Sequence, residues 1–290
     1  MEIPKKGYGY TGTYRLYPDS VLRRFRIKDD VLDDKGAIEL FANNTYRLLV
    51  TTDVDKKIES IVYKSNYDEN IDITDFKKDA LDVITKSLNR IQIAFMYSRN
   101  KGTQTAISNN QEISVDILNY ETGVKPFIVE AAIGYSRGIC IVPDYIPIVS
   151  IQTINTVLEI YKENIDEYIE KFLNLENLSN DLVLHLITLY SLYEYINKTS
   201  SNDLENLFKQ QEIEERFRFT RNFAAHGTVG ERLNVKNFLK NSLGESQQDF
   251  YSFDRYNQSH INLINHVISE YQVIIHDYLK EQLGIIKFIA

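Results

Sequence analysis

The chain has 290 residues, a formal net charge of -8 and a sequence pI near 5.3. That balance argues against coating nucleic acid through a broad basic surface, although it leaves room for a small local basic site. Its single cysteine, Cys140, excludes an intramolecular disulfide framework and any multi-cysteine zinc site, and fits a reducing, cytoplasmic compartment. No apolar run of about 18 residues occurs, and Met1–Lys6 leads into Gly7 and Tyr8 rather than an apolar leader, so neither membrane spanning nor secretion is expected. Heavy use of Ile, Asn, Lys and Tyr without any Trp has the look of a low-GC bacterial coding bias.

Tyr8, Tyr10, Tyr14 and Leu16 alternate with Gly9, Thr11, Thr13 and Arg15, the period of a half-buried strand. Further strands are expected at Ala37–Ala42, Thr45–Thr52, Ser60–Lys64, Ile113–Tyr120, Phe127–Ile133 and Gly138–Val142. One helix interrupts them. Phe76, Ala80, Val83, Ile84, Leu88, Ile91 and Phe95 form an apolar stripe at helical spacing, with Asp75 near its start, and such a helix packs on a sheet. The polar stretch from Ser98 to Asn110 reads as a loop. All five prolines lie at or before Pro147, and eight of the twelve glycines precede residue 150. Because Pro and Gly break helices and shape turns, their abrupt thinning marks a boundary between a mixed α/β domain over residues 1–148 and a helical domain over 149–290, an α+β chain overall.

In the second domain the first helix is expected from Ile151 to Leu173. The second, Leu182–Ile196, is apolar nearly all round, the pattern of a helix buried on most faces. A third runs from about Asn202 to Ala225, with Gly227 placed as a helix stop. A short helix at Asn234–Leu243 and a long one at Ser259–Leu283 follow.

The segment Arg221-Asn222-Phe223-Ala224-Ala225-His226-Gly227 carries the chemistry. At roughly 100° per residue, Arg218, Asn222 and His226 form a row on one helix face, with Arg221 at its edge. Histidine titrates near neutral pH, and arginine forks onto phosphate oxygens. These groups suit RNA cleavage without a metal, in which a base takes the 2′-hydroxyl proton, an acid protonates the leaving 5′-oxygen and a cation stabilises the phosphorane. One histidine cannot easily serve as both acid and base, so two copies meeting at a two-fold axis would complete the set. Glu194 on the second helix needs a partner, and an ion pair with Arg221 or Arg218 is the expected one, a support role rather than a catalytic role.

The segment resembles the R-x4-6-H motif of the HEPN superfamily, whose arginine is usually followed by a polar residue: here Arg221, Asn222 and His226, with the Ala-His-Gly ending common among bacterial members. The resemblance spans about residues 150–285 by helix order and seven residues by motif. It implies an all-helical bundle, a homodimer with a shared cleft and metal-independent endoribonuclease activity on RNA. It also implies a setting in toxin or anti-phage defence systems, with a protein antitoxin or regulator as a partner, and no cofactor. By resemblance, Arg221, Asn222 and His226 are the catalytic candidates; Arg218, from its place on the row, is the phosphate-binding support. Members that pair with a nucleotidyltransferase often carry a tyrosine shortly after the histidine, and Gly227-Thr228-Val229 departs from that pattern. The alternative function is a non-catalytic module that dimerises through its helical half and binds a ligand or protein through the other.

Other motifs carry less. Gly134-Tyr135-Ser136-Arg137-Gly138 fits the G-x-S-x-G of serine hydrolases, but a second strand-like run rather than a helix follows it, so it reads as a hairpin turn. His185 reads as a satisfied core histidine. His260, His266 and His276 share the last helix without carboxylates at ligand spacing, and no metal site is expected.

Overall fold

The computed structural model describes residues 7–16, 26–27, 37–95, 110–119, 127–128, 148–175, 181–200, 211–227, 233–244 and 251–284. They form an α+β chain in two compact units that meet in sequence at Tyr161 and Lys162. The expected Gly138–Val142 strand, the turn at Gly134–Gly138, the loop at 98–109 and the start of the third helix at 202–210 lie outside the described residues.

The first unit is built on strands β1 (Tyr8–Leu16), β2 (Arg26–Ile27), β3 (Ala37–Ala42), β4 (Tyr46–Thr52), β5 (Ile58–Tyr67), β6 (Asn110–Asn119), β7 (Phe127–Ile128) and β8 (Ile148–Val149), with helices α1 (Ile73–Phe95) and α2 (Ile151–Glu159). Six strands make one antiparallel sheet in the order β3-β4-β5-β1-β6-β7, while β2 and β8 form a separate parallel pair that the sequence pattern did not suggest. Strand β1 is central, with Tyr14 opposite Ile61 of β5 and Glu112 of β6. Its alternation turns Tyr10, Tyr14 and Leu16 into the core, where they meet Leu48, Val50, Ile61 and Tyr63 beneath the α1 stripe of Phe76, Ala80, Ile84, Leu88 and Ile91. The expected stripe therefore packs as amphipathic spacing requires, because each inward side chain leaves water on folding. Tyr10 secures the helix start: its hydroxyl donates to Asn70 Oδ1 at 2.6 Å and accepts from the Ile71 N–H at 3.0 Å. Asp72 then caps the first turn, accepting from Thr74 N–H at 2.7 Å, a bond that holds its carboxyl below the usual range.

Gly12 takes an inward slot on β1 between Tyr10 and Tyr14. A Cβ there would stand 2.7 Å from Tyr14 Cε2 and 3.2 Å from Phe76 Cε1, so the missing side chain is what lets the Tyr14 ring lie back over its own strand.

The expected single helix from Ile151 to Leu173 is two helices. The first, α2, ends at Glu159 and packs on β3 and α1. Arg90 of α1 donates through Nη1 to the carbonyls of Leu158 at 3.2 Å and Ile160 at 2.7 Å, satisfying acceptors that a continuing helix would have used. Helix α3 (Ile165–Asn174) then starts from Asn164 at φ 62°, a left-handed conformation that asparagine tolerates better than most residues. Neither Pro nor Gly marks the break, so composition gave no sign of it.

The second unit is all-helical among the described residues: α3, α4 (Leu182–Thr199), α5 (Gln211–His226), α6 (Leu233–Leu243) and α7 (Gln258–Gln282). Asp181 caps α4 by accepting from the N–H groups of Val183 and Leu184, and Asn257 caps α7 in the same way through Ser259 and His260. Helix α7 touches each of the other four. At the centre, Phe217 of α5 stacks on Tyr271 of α7 with ring centroids 3.7 Å apart and meets Tyr190 of α4 edge-on at 5.0 Å. Helix α4 is less enclosed than its composition suggested. His185, Leu186, Leu189, Leu192, Tyr193 and Ile196 are buried, but Val183, Ile187 and Tyr190 are only half-buried and Leu184 is 45% exposed. No helix among the described residues is long and apolar enough to cross a membrane.

Replacing Gly12 by valine forces the Tyr14 and Phe76 rings apart, and overpacking of this kind costs about 1–3 kcal/mol. Urea denaturation of G12V should show a lower midpoint, corresponding to a loss of about 1–3 kcal/mol of unfolding free energy, and an unchanged midpoint would disprove the close approach.

Candidate functional site

Helix α5 has two faces. Phe217, Phe219, Thr220 and Phe223 are buried, so Arg218 and His226 are left exposed and Asn222 half-buried on the side that faces away from the core. The helix ends at His226. Gly227 follows at φ 71°, its N–H donating to the Phe223 carbonyl at 3.2 Å, a left-handed cap that lacks a side-chain penalty only in glycine. The expected helix stop is therefore present, and it leaves the imidazole on the last helical residue.

Arg221 and Asn222 are brought together directly: Arg221 Nη1 donates to Asn222 Oδ1 at 2.9 Å. The guanidinium carbon lies 5.5 Å from the centre of the Tyr190 ring, within the range of a cation–π contact. Arg218 instead lies over the ring of its neighbour Phe219 at 5.3 Å. The His226 side chain makes no hydrogen bond or ion pair with any described residue.

The expected ion pair of Glu194 with Arg221 or Arg218 does not form. Glu194 is half-buried on α4, one turn after Tyr190, and its charge is felt at the phenol. Burial raises the Tyr190 pKa, and Glu194 raises it further while Arg218 and Arg221 pull it back. Tyr190 is thus the group around which Glu194, Arg218 and Arg221 gather. Burial is also the leading cause that pushes Tyr193, one turn along, up to about 12.

The arginine that does find a carboxylate is Arg216, whose Nη2 pairs with Glu270 Oε1 across α5 and α7. Sequence spacing pointed to Glu194 because it lies on the apolar helix, whereas partner choice between three helices depends on which faces meet. Tyr190, Arg216 and Glu270 are the residues that sequence reasoning missed. For Tyr190 a signal existed in its position four residues before Glu194, on the same helix face.

Three of the other four histidines are accounted for by packing, and the fourth, His266, is exposed. His185 is buried and accepts at Nε2 from Gln272 Nε2 at 2.9 Å. His260 accepts from the Asp254 N–H at 3.0 Å and lies edge-on to Phe223, which supports the end of α5 from below. His276 is stacked against Phe172. Among the described residues no group of three His, Cys, Asp or Glu side chains could hold a metal ion.

Set against protein-family models, curated proteins and solved structures, the chain finds no match in any of the three. Its functional reading therefore stands on the geometry of α4 and α5 and on the motif.

The Arg216–Glu270 pair is 30% and 27% exposed, between a surface pair worth at most about 1 kcal/mol and a buried one whose rupture costs about 3–5 kcal/mol. Glu270→Gln should lower stability by about 1–2 kcal/mol, whereas Glu194→Gln should stay within about 0.5 kcal/mol. Thermal and urea unfolding followed by circular dichroism decides this, and a reversed order would return the ion-pair role to Glu194.

Proposed function

We propose that the chain is a metal-independent endoribonuclease of the HEPN kind, working as a homodimer with a composite arginine and histidine site. The observation that carries this reading is the division of labour on α5. Arg221 is held by Asn222 and Tyr190, while His226, at the helix end, is exposed and its side chain takes no partner among the described residues. A core histidine would be enclosed and bonded, as His185 is.

In the proposed reaction an imidazole removes the RNA 2′-hydroxyl proton, the 2′-oxygen forms a bond to the adjacent phosphorus, and the bond from phosphorus to the 5′-oxygen breaks. The leaving oxygen takes a proton from a second imidazole, so the products are a 2′,3′-cyclic phosphate and a 5′-hydroxyl. Arg221 stabilises the charge on the phosphorane oxygens, and Arg218 lies two helical turns from His226 on the same row, suited to a neighbouring phosphate. The need for two imidazoles is met when each protomer supplies one His226. The half-buried Val183 and Ile187 and the exposed Leu184 of α4 support a second copy, since they form an apolar strip on the helix that carries Tyr190. The motif resemblance further supports a role in defence or as a toxin, with cytoplasmic action on RNA under the restraint of a protein partner. The net charge of -8 favours the second reading, a dimeric binding module without catalysis.

Two measurements test the proposal. Wild-type protein incubated with total RNA in EDTA should leave 2′,3′-cyclic phosphate ends, and His226→Ala or Arg221→Ala should reduce cleavage by about 100-fold or more. Intact RNA with wild type, or equal cleavage by wild type and H226A, establishes the binding module instead. Leu184→Glu should shift the protein to monomer in sedimentation and lose cleavage in step, while a fully active monomer would refute the composite site.

A further inference from the structure

We infer that Tyr190 is a positioning residue that sets the orientation of the Arg221 guanidinium as an anion-binding fork; its catalytic consequence rests on the ribonuclease reading above.

An arginine on a helix surface samples many rotamers, and an anion or phosphorane that must gather it bears the cost of ordering it. Arg221 is ordered in advance by contacts from two directions. Its guanidinium carbon lies over the Tyr190 ring, 5.5 Å from the centroid, which confines the group to that ring, and Nη1 donates to Asn222 Oδ1 at 2.9 Å, which restricts its rotation there. Nε is buried without an acceptor among the described residues, and Nη2 makes no bond to any of them.

Tyr190 can serve as a reference surface because it is itself held. Its ring meets Phe217 edge-on at 5.0 Å and 71°, and it lies 5.9 Å from Tyr193 on its own helix. Phe217 is stacked on Tyr271 at 3.7 Å and 26°. A continuous set of rings therefore runs from α7 through α5 to α4 and ends under the guanidinium. The charges around the phenol belong to the same arrangement: Glu194 and Glu214 act against its ionisation, and Arg218 and Arg221 favour it. What the contact requires of Tyr190 is its aromatic face, since the hydroxyl makes no bond to Arg221.

The test compares Tyr190→Phe, which keeps the face, with Tyr190→Leu, which keeps bulk and removes it. Both are read as full chains in the same oligomeric state as wild type. Y190L should lose about 10- to 100-fold in kcat with KM changed by no more than about 3-fold, and Y190F should retain kcat within about 3-fold, because orientation acts on the transition state rather than on substrate capture. Equal losses in both variants, or a loss confined to KM, would overturn the positioning role. Nitrogen and carbon NMR of the arginine guanidinium groups gives a readout independent of cleavage. The Arg221 signal, assigned by its disappearance in R221K, should show ring-current displacement and slow rotation about its Nε–Cζ bond in wild type and Y190F and lose both in Y190L. An Arg221 signal that is unrestrained in wild type or unaltered in Y190L refutes the inference even if RNA is cleaved. A restrained signal in a protein that cleaves no RNA upholds the positioning and removes only the ribonuclease reading.

Discussion

Phe217 reaches the centre of the helical unit with no exposed surface, and its ring lies flat on Tyr271 and against the edge of Tyr190. An aromatic side chain buried in this way contributes far more area than the aliphatic residues around it, and its geometry leaves little rotational choice to the helix that carries it. Phe223, six residues on and about 120° further round the helix, is buried as well, where His260 and Phe253 receive it. Arg218, Asn222 and His226 then have nowhere to go but outward. The functional row on α5 is the complement of its packing row.

The same constraint explains why the site's electrostatics differ from those expected of a buried acid and nearby arginines. An ion pair forms where two helices already lie face to face, and α5 meets α7 through the flank that carries Arg216, so Glu270 is matched there. Glu194 lies one turn after Tyr190 on α4, and its charge acts against ionisation of the phenol whose ring lies beneath Arg221. A half-exposed carboxylate keeps part of its hydration, so it does not require a direct cationic partner.

In the strand-bearing unit a single absent side chain has a comparable effect. Tyr10, Tyr14 and Leu16 are inward because strand alternation demands it, and Gly12 would be inward too if it had a side chain. The space it leaves is filled by the Tyr14 ring and bordered by Phe76, so α1 can approach the sheet closely. The end of that unit depends on a long-range contact of another kind, in which Arg90 closes α2 by taking its last carbonyls.

Periodicity and punctuation alone established much of this protein: the β1 alternation, the α1 stripe, the helical second half, and the stop at Gly227 that leaves His226 on a helix end. These are local properties, set by which neighbours lie one strand step or one helical turn apart. The segment from Arg221 to Gly227 was legible for the same reason, and so was the row of Arg218, Asn222 and His226. Tertiary structure decided what spacing cannot encode. The helix break before Asn164 follows from an arginine some seventy residues away in sequence, the partner of Arg216 from the meeting of two helix faces, and the role of Tyr190 from a ring on one helix lying under a guanidinium on another. Each of these depends on distances between elements far apart in the chain, and those distances exist only once the cores have packed.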